Sequence, residues 1–305
     1  MIFLSDSMLA KLRIAGKTIV VQIALLCALL FMVWGSQHLY SFIDKTTFPN
    51  AVALGDTSTL DDNAKGKLMI DAITHQMRYE LSSTFGWSAN DIVFNRWLLD
   101  NRAYRQYGVY QATKELVDLY STQIAKLGAN DRESEFLYKA RLNSFAIDPY
   151  KFWFPSAESA YQKGLALVEQ YKAGLDTGKS VYNVRTDDIY AAYNLVVGEK
   201  LLGYALGLLN NAQNMPFYTL DNAIYQAQGI ALVVRDFITA LYTLHPDIAG
   251  KGNKENMDAA MNYLTRIATY DPLYITANVN SGELVISYLL FAKNRLEDIR
   301  DSIRM

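Results

Sequence analysis

Cysteine is almost missing from this chain. The single Cys27 lies inside an apolar run, so the rest has neither a disulfide framework nor a thiol nucleophile. Histidine is nearly as scarce. His38, His75 and His245 fall on separate segments, without H-x-x-x-H spacing or a cysteine partner, which excludes a zinc-type motif and favours solvated or capping roles. With 6 prolines and 17 glycines in 305 residues, the chain is neither collagenous nor a low-complexity linker. Its net charge of −2 gives no general attraction to nucleic acid, and none is expected as a partner. No P-loop, dinucleotide fingerprint, nucleophile elbow or EF-hand loop occurs, so no cofactor is expected.

What the chain has is apolar surface and tyrosine: 51% of residues are hydrophobic and 21 are tyrosine. The run TIVVQIALLCALLFMVW, Thr18 to Trp34, carries no charge and has Gln22 as its one strongly polar side chain. A span of about 17 residues is the short end of what crosses the hydrocarbon core as a helix. Trp34 and Tyr40 suit the far interface. Lys11, Arg13 and Lys17 precede the run and Lys45 follows it, so the positive-inside rule puts residues 1–17 in the cytoplasm as a short tail and the bulk of the chain outside. The expected topology is single-pass, with residues 18–36 in the lipid bilayer as an anchor and the remainder outside the cytoplasm. A cleaved signal peptide is the competing reading, with Val33-Trp34-Gly35 as its cleavage site.

Residues 37–62 read as a linker ending in helix-capping residues, and residues 63–305 as a helical domain, divisible into two subdomains meeting near 147–156. Turn-forming clusters separate segments of roughly 15 to 30 residues, with no two-residue alternation that would signal sheet. Two seams are regular. Ile224, Ala227, Ala231, Val234, Ile238 and Leu241 step by three and four, as do Val285, Leu289, Ala292, Leu296, Ile299 and Ile303. Asp187 to Asn210 reads as a further helix burying Ile189, Tyr193, Val196, Leu201, Tyr204 and Leu208. Its Gly203 and Gly207 form a G-x-x-x-G suited to close packing of soluble helices. The expected fold class is all-α: one N-terminal transmembrane helix, then a bundle of about seven or eight helices.

Signals of chemistry are few. In FWFPSAESAY, Phe152 to Tyr161, Pro155 forces Phe154 into an extended conformation, Ser156 is a natural N-cap, and Glu158 faces the positive end of the new helix. Phe152 and Trp153 are expected to bury beneath the turn and fix its angle. A nucleophilic Ser156 would need a base, and no histidine is near in sequence. Tyr104, Tyr107 and Tyr110 recur every third residue, either as an aromatic contact surface or as the wet outer shell of a helical core, the second being favoured. Arg185 precedes Asp187 and Asp188, a pattern that pins a loop against a helix N-terminus. The acid pairs Asp61/Asp62 and Asp187/Asp188 fit helix starts, and Glu297/Asp298 a solvated face.

RWLLDN (Arg96–Asn101), FPSAESAY (Phe154–Tyr161), VRTDDI (Val184–Ile189), DNAIYQAQGIA (Asp221–Ala231) and the tail DPLYITANVNSGELVISYLLFAKNRLEDIR (Asp271–Arg300) together resemble, in order, the bacterial family DUF2333, a domain of unknown function. The family likewise opens with one hydrophobic segment. Here DNRAY stands where the family has a DNMP-like continuation, and the last helix lacks the histidine of the family's Asn-His pair. The resemblance implies the architecture and a location, the bacterial inner membrane with the bulk of the chain periplasmic, and brings no activity. These passages single out Trp97, Asp100, Asn101, Tyr104, Tyr107, Trp153, Pro155, Ser156, Glu158, Arg185, Asp187, Tyr225, Asn280 and Gly282 as interaction or structural positions, with no catalytic, cofactor or metal assignment.

Two functions follow. The leading expectation is a membrane-anchored periplasmic module that binds another envelope protein, as a scaffold or accessory subunit. The alternative is a cell-wall- or lipid-acting enzyme using carboxylates such as Glu158 or Asp187 in a cleft between helices. An exposed aromatic patch favours the first, and acids converging with perturbed pKa values favour the second.

Overall fold

The computed structural model describes residues 6–47, 51–83, 86–91, 99–126, 132–249, 254–272, 274–276 and 282–304, and among these every regular element is helical. Helix α1, Asp6–Thr47, contains Ile14–Met32, 19 residues of mean hydropathy 2.2 with no side chain buried against protein. It is long and apolar enough to cross a bilayer and equally fits a signal sequence.

Helix α2, Asp62–Ser82, starts where expected because the Asp61 carboxylate accepts from Ala64 N at 2.8 Å. There follow α3 (Asp100–Leu119), prolonged by the π-turn Tyr120–Ile124, then α4 (Glu135–Asn143), α5 (Ala157–Asp176), α6 (Thr186–Val197), α7 (Leu202–Leu208), α8 (Phe217–Leu244), the single turn α9 (Pro246–Ala249), α10 (Lys254–Ala268) and α11 (Gly282–Arg304). Beyond α1, eight of these helices have nine residues or more, in line with the count read from the sequence.

Helix α8 is the axis. Over Phe217–Leu244 it is apolar enough to pass for a second span, yet 83% of its most apolar stretch is buried by protein, chiefly α3, α2, α10 and α7. Both seams face the core: Ile224 to Leu241 on α8 and Val285 to Ile303 on α11 are at most 3% exposed. Helix α11 closes the bundle against α10 and α6, while α4 pairs with α5, which leans on α2.

The α3–α8 crossing is exceptionally close. A Cβ on Gly108 would lie 2.9 Å from Ile230 N and 3.0 Å from the Gln226 carbonyl carbon, and one on Gly229 would lie 2.8 Å from Val109 N and 3.0 Å from the Arg105 carbonyl carbon. Each glycine thus touches the partner's main chain, the distance range in which Cα–H groups meet carbonyl oxygens.

Four expectations need correction. Asp187 to Asn210 is not one helix: α6 ends at Val197, the Gly198 backbone is extended, and α7 starts at Leu202. Gly203 packs on the Gly198 carbonyl within that break and Gly207 faces open space, so the G-x-x-x-G is no helix–helix contact. Phe152 and Trp153 are 54% and 59% exposed rather than buried under the turn. The tyrosines are not only an outer shell either, since Tyr120, Tyr161, Tyr171 and Tyr193 are wholly buried. The space beneath the 150s turn is taken by Trp87, edge-on to Tyr161 at 4.9 Å, with its indole N–H on the Pro149 carbonyl at 2.9 Å. That leaves Phe152 and Trp153 to point outward.

Candidate functional site

Two kinds of surface compete for a functional role: a polar centre at the N-terminal ends of α3 and α8, and aromatic patches on the outside. The polar centre rests on a buried ion network. Glu80, on α2, is 1% exposed and accepts from Arg105 Nε at 3.0 Å and Gln106 Nε2 at 2.9 Å, with Arg102 Nε 3.4 Å away. Arg102 also donates to the carbonyls of Glu80 and Gly86, at 3.2 and 2.7 Å, and to the Ser83 hydroxyl. Gln106 takes the Ala89 N–H at 3.1 Å and donates to Gly86 O at 3.0 Å. One carboxylate held by two guanidiniums and an amide locks α2 to α3. Such a set adds little net stability over an apolar replacement but is costly to break.

On this base stand Asp100 at the start of α3, Asp221 near the start of α8, and Asp271 just after α10. Burial, and then the charges of Asp100 and Asp271, push the Asp221 carboxyl up to about 7. Tyr225, one turn beyond Asp221 and 4% exposed, donates its hydroxyl to Asp271 Oδ1 at 3.1 Å. Gln228, one further turn along the same face, donates to the Ile267 and Tyr270 carbonyls at 3.2 and 2.7 Å, tying the chain before Asp271 to α8. A carboxyl raised toward neutrality by burial and by the charge of two other carboxylates is the pattern that separates acid from base roles. Among the described residues no group of His, Cys, Asp and Glu is arranged to hold a metal. Open hollows occur elsewhere: one among Glu115, Asp118, Asn194 and Lys200, one among Gly207, Asn210, Glu283 and Ile286, and one among Asp56, Lys65 and His245. None of these three includes Asp221.

Among the described residues, exposed aromatics include the Phe217–Tyr218 pair and those of two further places. On α10 and α11, Tyr263 lies 5.2 Å from Phe291 and 6.0 Å from Tyr288, with the Arg266 guanidinium over Tyr288 at 5.7 Å. Leu284, Tyr288 and Phe291 follow at helical spacing, so α11 carries a second apolar stripe flanking its buried seam; Leu284 and Phe291 are 46% and 48% exposed. The other place is Phe152–Phe154, where Phe154 is 90% exposed.

The positions singled out from the sequence divide accordingly. Asp100 and Tyr225 belong to the polar centre, with Asn101 half-buried next to Asp100. Trp97 and Asn280 lie outside the described residues. Tyr107 stacks on Tyr150 at 5.5 Å, and Tyr104 is half-buried against the core. Ser156 caps α5, accepting from Ser159 N at 3.2 Å. Pro155 is exposed, and Glu158 is half-buried with its carboxylate against Gly86. Arg185 binds Asp188, not Asp187: its N–H and Nε each reach Oδ2 at 3.0 Å, and Asp187 is exposed. Gly282 starts α11 where a side chain would meet Leu220 at 2.9 Å.

Of the histidines expected to be solvated or capping, His245 does sit at the C-cap of α8, while His75 is paired with a buried acid. His75 Nδ1 lies 2.7 Å from Oδ2 of the fully buried Asp236, which also takes Gln76 Nε2 at 2.6 Å, and whose Oδ1 takes the Val52 N–H at 3.3 Å. His245 Nε2 lies 2.6 Å from the Tyr182 hydroxyl, and burial holds the imidazole down at about 4. The side chain of His38 lies outside the described residues. Asp221 itself escaped notice in the sequence, where only its place near a helix start marked it.

The family model for uncharacterized proteins conserved in bacteria, DUF2333, matches residues 8–215. Two of the five segments that carried the resemblance, beginning at Asp221 and Asp271, lie beyond that match. No curated protein and no solved structure matches the chain.

Proposed function

The chain belongs to DUF2333, and from that premise we propose that it is an inner-membrane-anchored helical module whose domain, in the periplasm, binds another envelope protein through the α10–α11 face. The observation that carries this is the supported aromatic stripe of Leu284, Tyr288 and Phe291 with Tyr263. Its rings brace one another and lie half-buried in a broad face, as anchors at protein interfaces do. The apolar Ile14–Met32 helix and the cationic residues before it support the anchoring and its direction.

The test is site-specific photocrosslinking in bacterial membranes, with the crosslinker at 284 or 291 and, as a control, at Asp176. A discrete adduct from the α11 sites alone, abolished by Tyr288→Asp in a protein that remains folded and membrane-inserted, is the expected result. A protein that yields no adduct and is purified alone from detergent would overturn it.

A second reading has its own observation. The Asp221 carboxyl, poised near 7 beside Asp100 and Asp271, favours acid–base chemistry on an envelope substrate. It moves the enzyme alternative away from Glu158 and Asp187, which sit at the starts of different helices. Loss of cellular function in Asp221→Asn with the α11 adduct intact would favour this reading over the first.

A further inference from the structure

We propose that the Phe152–Phe154 loop is a second membrane contact, inserting its aromatic side chains into the lipid headgroup layer beside the anchor. The inference rests on the anchoring part of the proposed function and is independent of the α10–α11 face.

The loop differs in kind from that face. Three consecutive aromatics point outward at 54%, 59% and 90% exposure. Phe152 and Trp153 touch each other edge-on at 5.0 Å, and the Lys151 ammonium lies 5.9 Å over the Trp153 ring. Beneath them the position is fixed: Ala157 N bonds Lys151 O at 2.8 Å, Asn90 Nδ2 bonds the same carbonyl at 3.0 Å, and Trp87 holds Pro149. The result is a rigid base with unsupported rings at its tip. A protein partner would need a pocket for each ring, whereas a fluid interface accepts them without one. Tryptophan and phenylalanine with a neighbouring lysine is the composition that suits the headgroup boundary.

The chain's own tether puts the loop within reach. From Met32 to the end of α1 at Thr47 is 15 residues, about 22 Å of helix. Five more residues lead to Val52, at most about 18 Å, and Val52 is clipped to Asp236 beside Gln76 on α2. Only six residues, about 9 Å of helix, separate Gln76 from the end of α2. There Gly86 meets Glu158 in the first turn of α5, directly after the loop.

The test uses the full chain in vesicles of phosphatidylcholine and phosphatidylglycerol. Cys27→Ser removes the native thiol, and Phe154→Cys, or Trp153→Cys as an independent second site, carries an NBD fluorophore. The control label is at Asp176→Cys, the far end of α5, about 30 Å along that helix. Flotation with the vesicles first establishes anchoring, so that failure of the anchor is distinguished from failure of the loop. In floated protein the label at 154 or 153 should be blue-shifted and lose about half its emission to lipids bearing an acyl-chain nitroxide, a depth consistent with interfacial insertion. The label at 176 should be unaffected. Floated protein whose 153 and 154 labels both report water would overturn the proposal. So would shielding that appears only on adding a bacterial membrane extract, without quenching by nitroxide lipid, because that would assign the loop to a protein.

Discussion

Replacing Gly108 or Gly229 by alanine tests the tightest feature of the fold. In an ordinary exposed helix, Gly→Ala is stabilising by about 1 kcal/mol. Here the added methyl meets main-chain atoms of the opposite helix at 2.8 to 3.0 Å, with the carbonyl oxygen closer still. Carbon contacts settle at about 3.5–4.0 Å, so α3 and α8 must part by roughly 1 Å. Such a gap forfeits about a third of the well for each facing atom pair. For some 40 pairs of about 0.15 kcal/mol the loss is about 2 kcal/mol. Strain of about 1–3 kcal/mol adds to it, giving a net cost of about 3 kcal/mol after the propensity gain. The buried side chains that lose contact include Val109 and Ala112 on α3, and Ile230 and Val233 on α8. Thermal unfolding in detergent, followed by far-UV circular dichroism, should show Tm lower by about 6–12 °C for either variant. The double variant should cost less than the sum, since one displacement makes room for both methyls. Gly207→Ala, with open space where its Cβ would go, is the internal control and should be neutral or slightly stabilising. A Gly108→Ala protein as stable as the parent would refute the reasoning.

The remaining predictions concern protons and caps. The Asp221 carboxyl is raised from 3.8 to about 7, so the folded state holds a proton that the unfolded chain has released, and this group's contribution falls as pH rises from about 4 through 7. Asp221→Asn should therefore gain stability over the parent at pH 8, by about 2 kcal/mol after discounting for partial exposure, and gain little at pH 4; equal gains at both pH values in urea denaturation would contradict the assignment. His245, lowered from 6.5 to about 4, acts oppositely in an overlapping window, costing stability as pH falls from about 6.5 through 4, so the difference between variant and parent is the quantity to read. Ser156→Ala should remove the cap of α5 for about 1 kcal/mol and leave function intact at permissive temperature; complete loss of function in a stable, membrane-inserted variant would make Ser156 more than a cap.

The helical architecture was legible because periodicity reports which face of a helix is buried. Val285 to Ile303 and Ile224 to Leu241 could be read residue by residue, as could the caps at Asp61 and Ser156, whose chemistry is local. Periodicity does not report which helix lies opposite. Gly108 and Gly229 are unremarkable along the chain and matter only because they meet. The same holds for Asp221 with Asp100 and Asp271, and for His75 with Asp236, 161 residues apart. The break at Gly198 was hidden because the apolar pattern continues through it into Leu201. Phe152 and Trp153 were misplaced because large rings are assumed to seek the interior, and Trp87 had already filled that space.

The Val52 clip has a consequence for binding strength. If α1 spans the bilayer, the short stretch between Thr47 and Val52 confines the domain to a cap about 40 Å in radius around its anchor, a volume in which one molecule amounts to roughly 10 mM. A membrane neighbour within that cap would be about nine-tenths occupied even at a Kd of about 1 mM. Contacts too weak to survive dilution in a test tube would then suffice in place, and the clip at Asp236, by limiting slack, would add to the affinity of the proposed face.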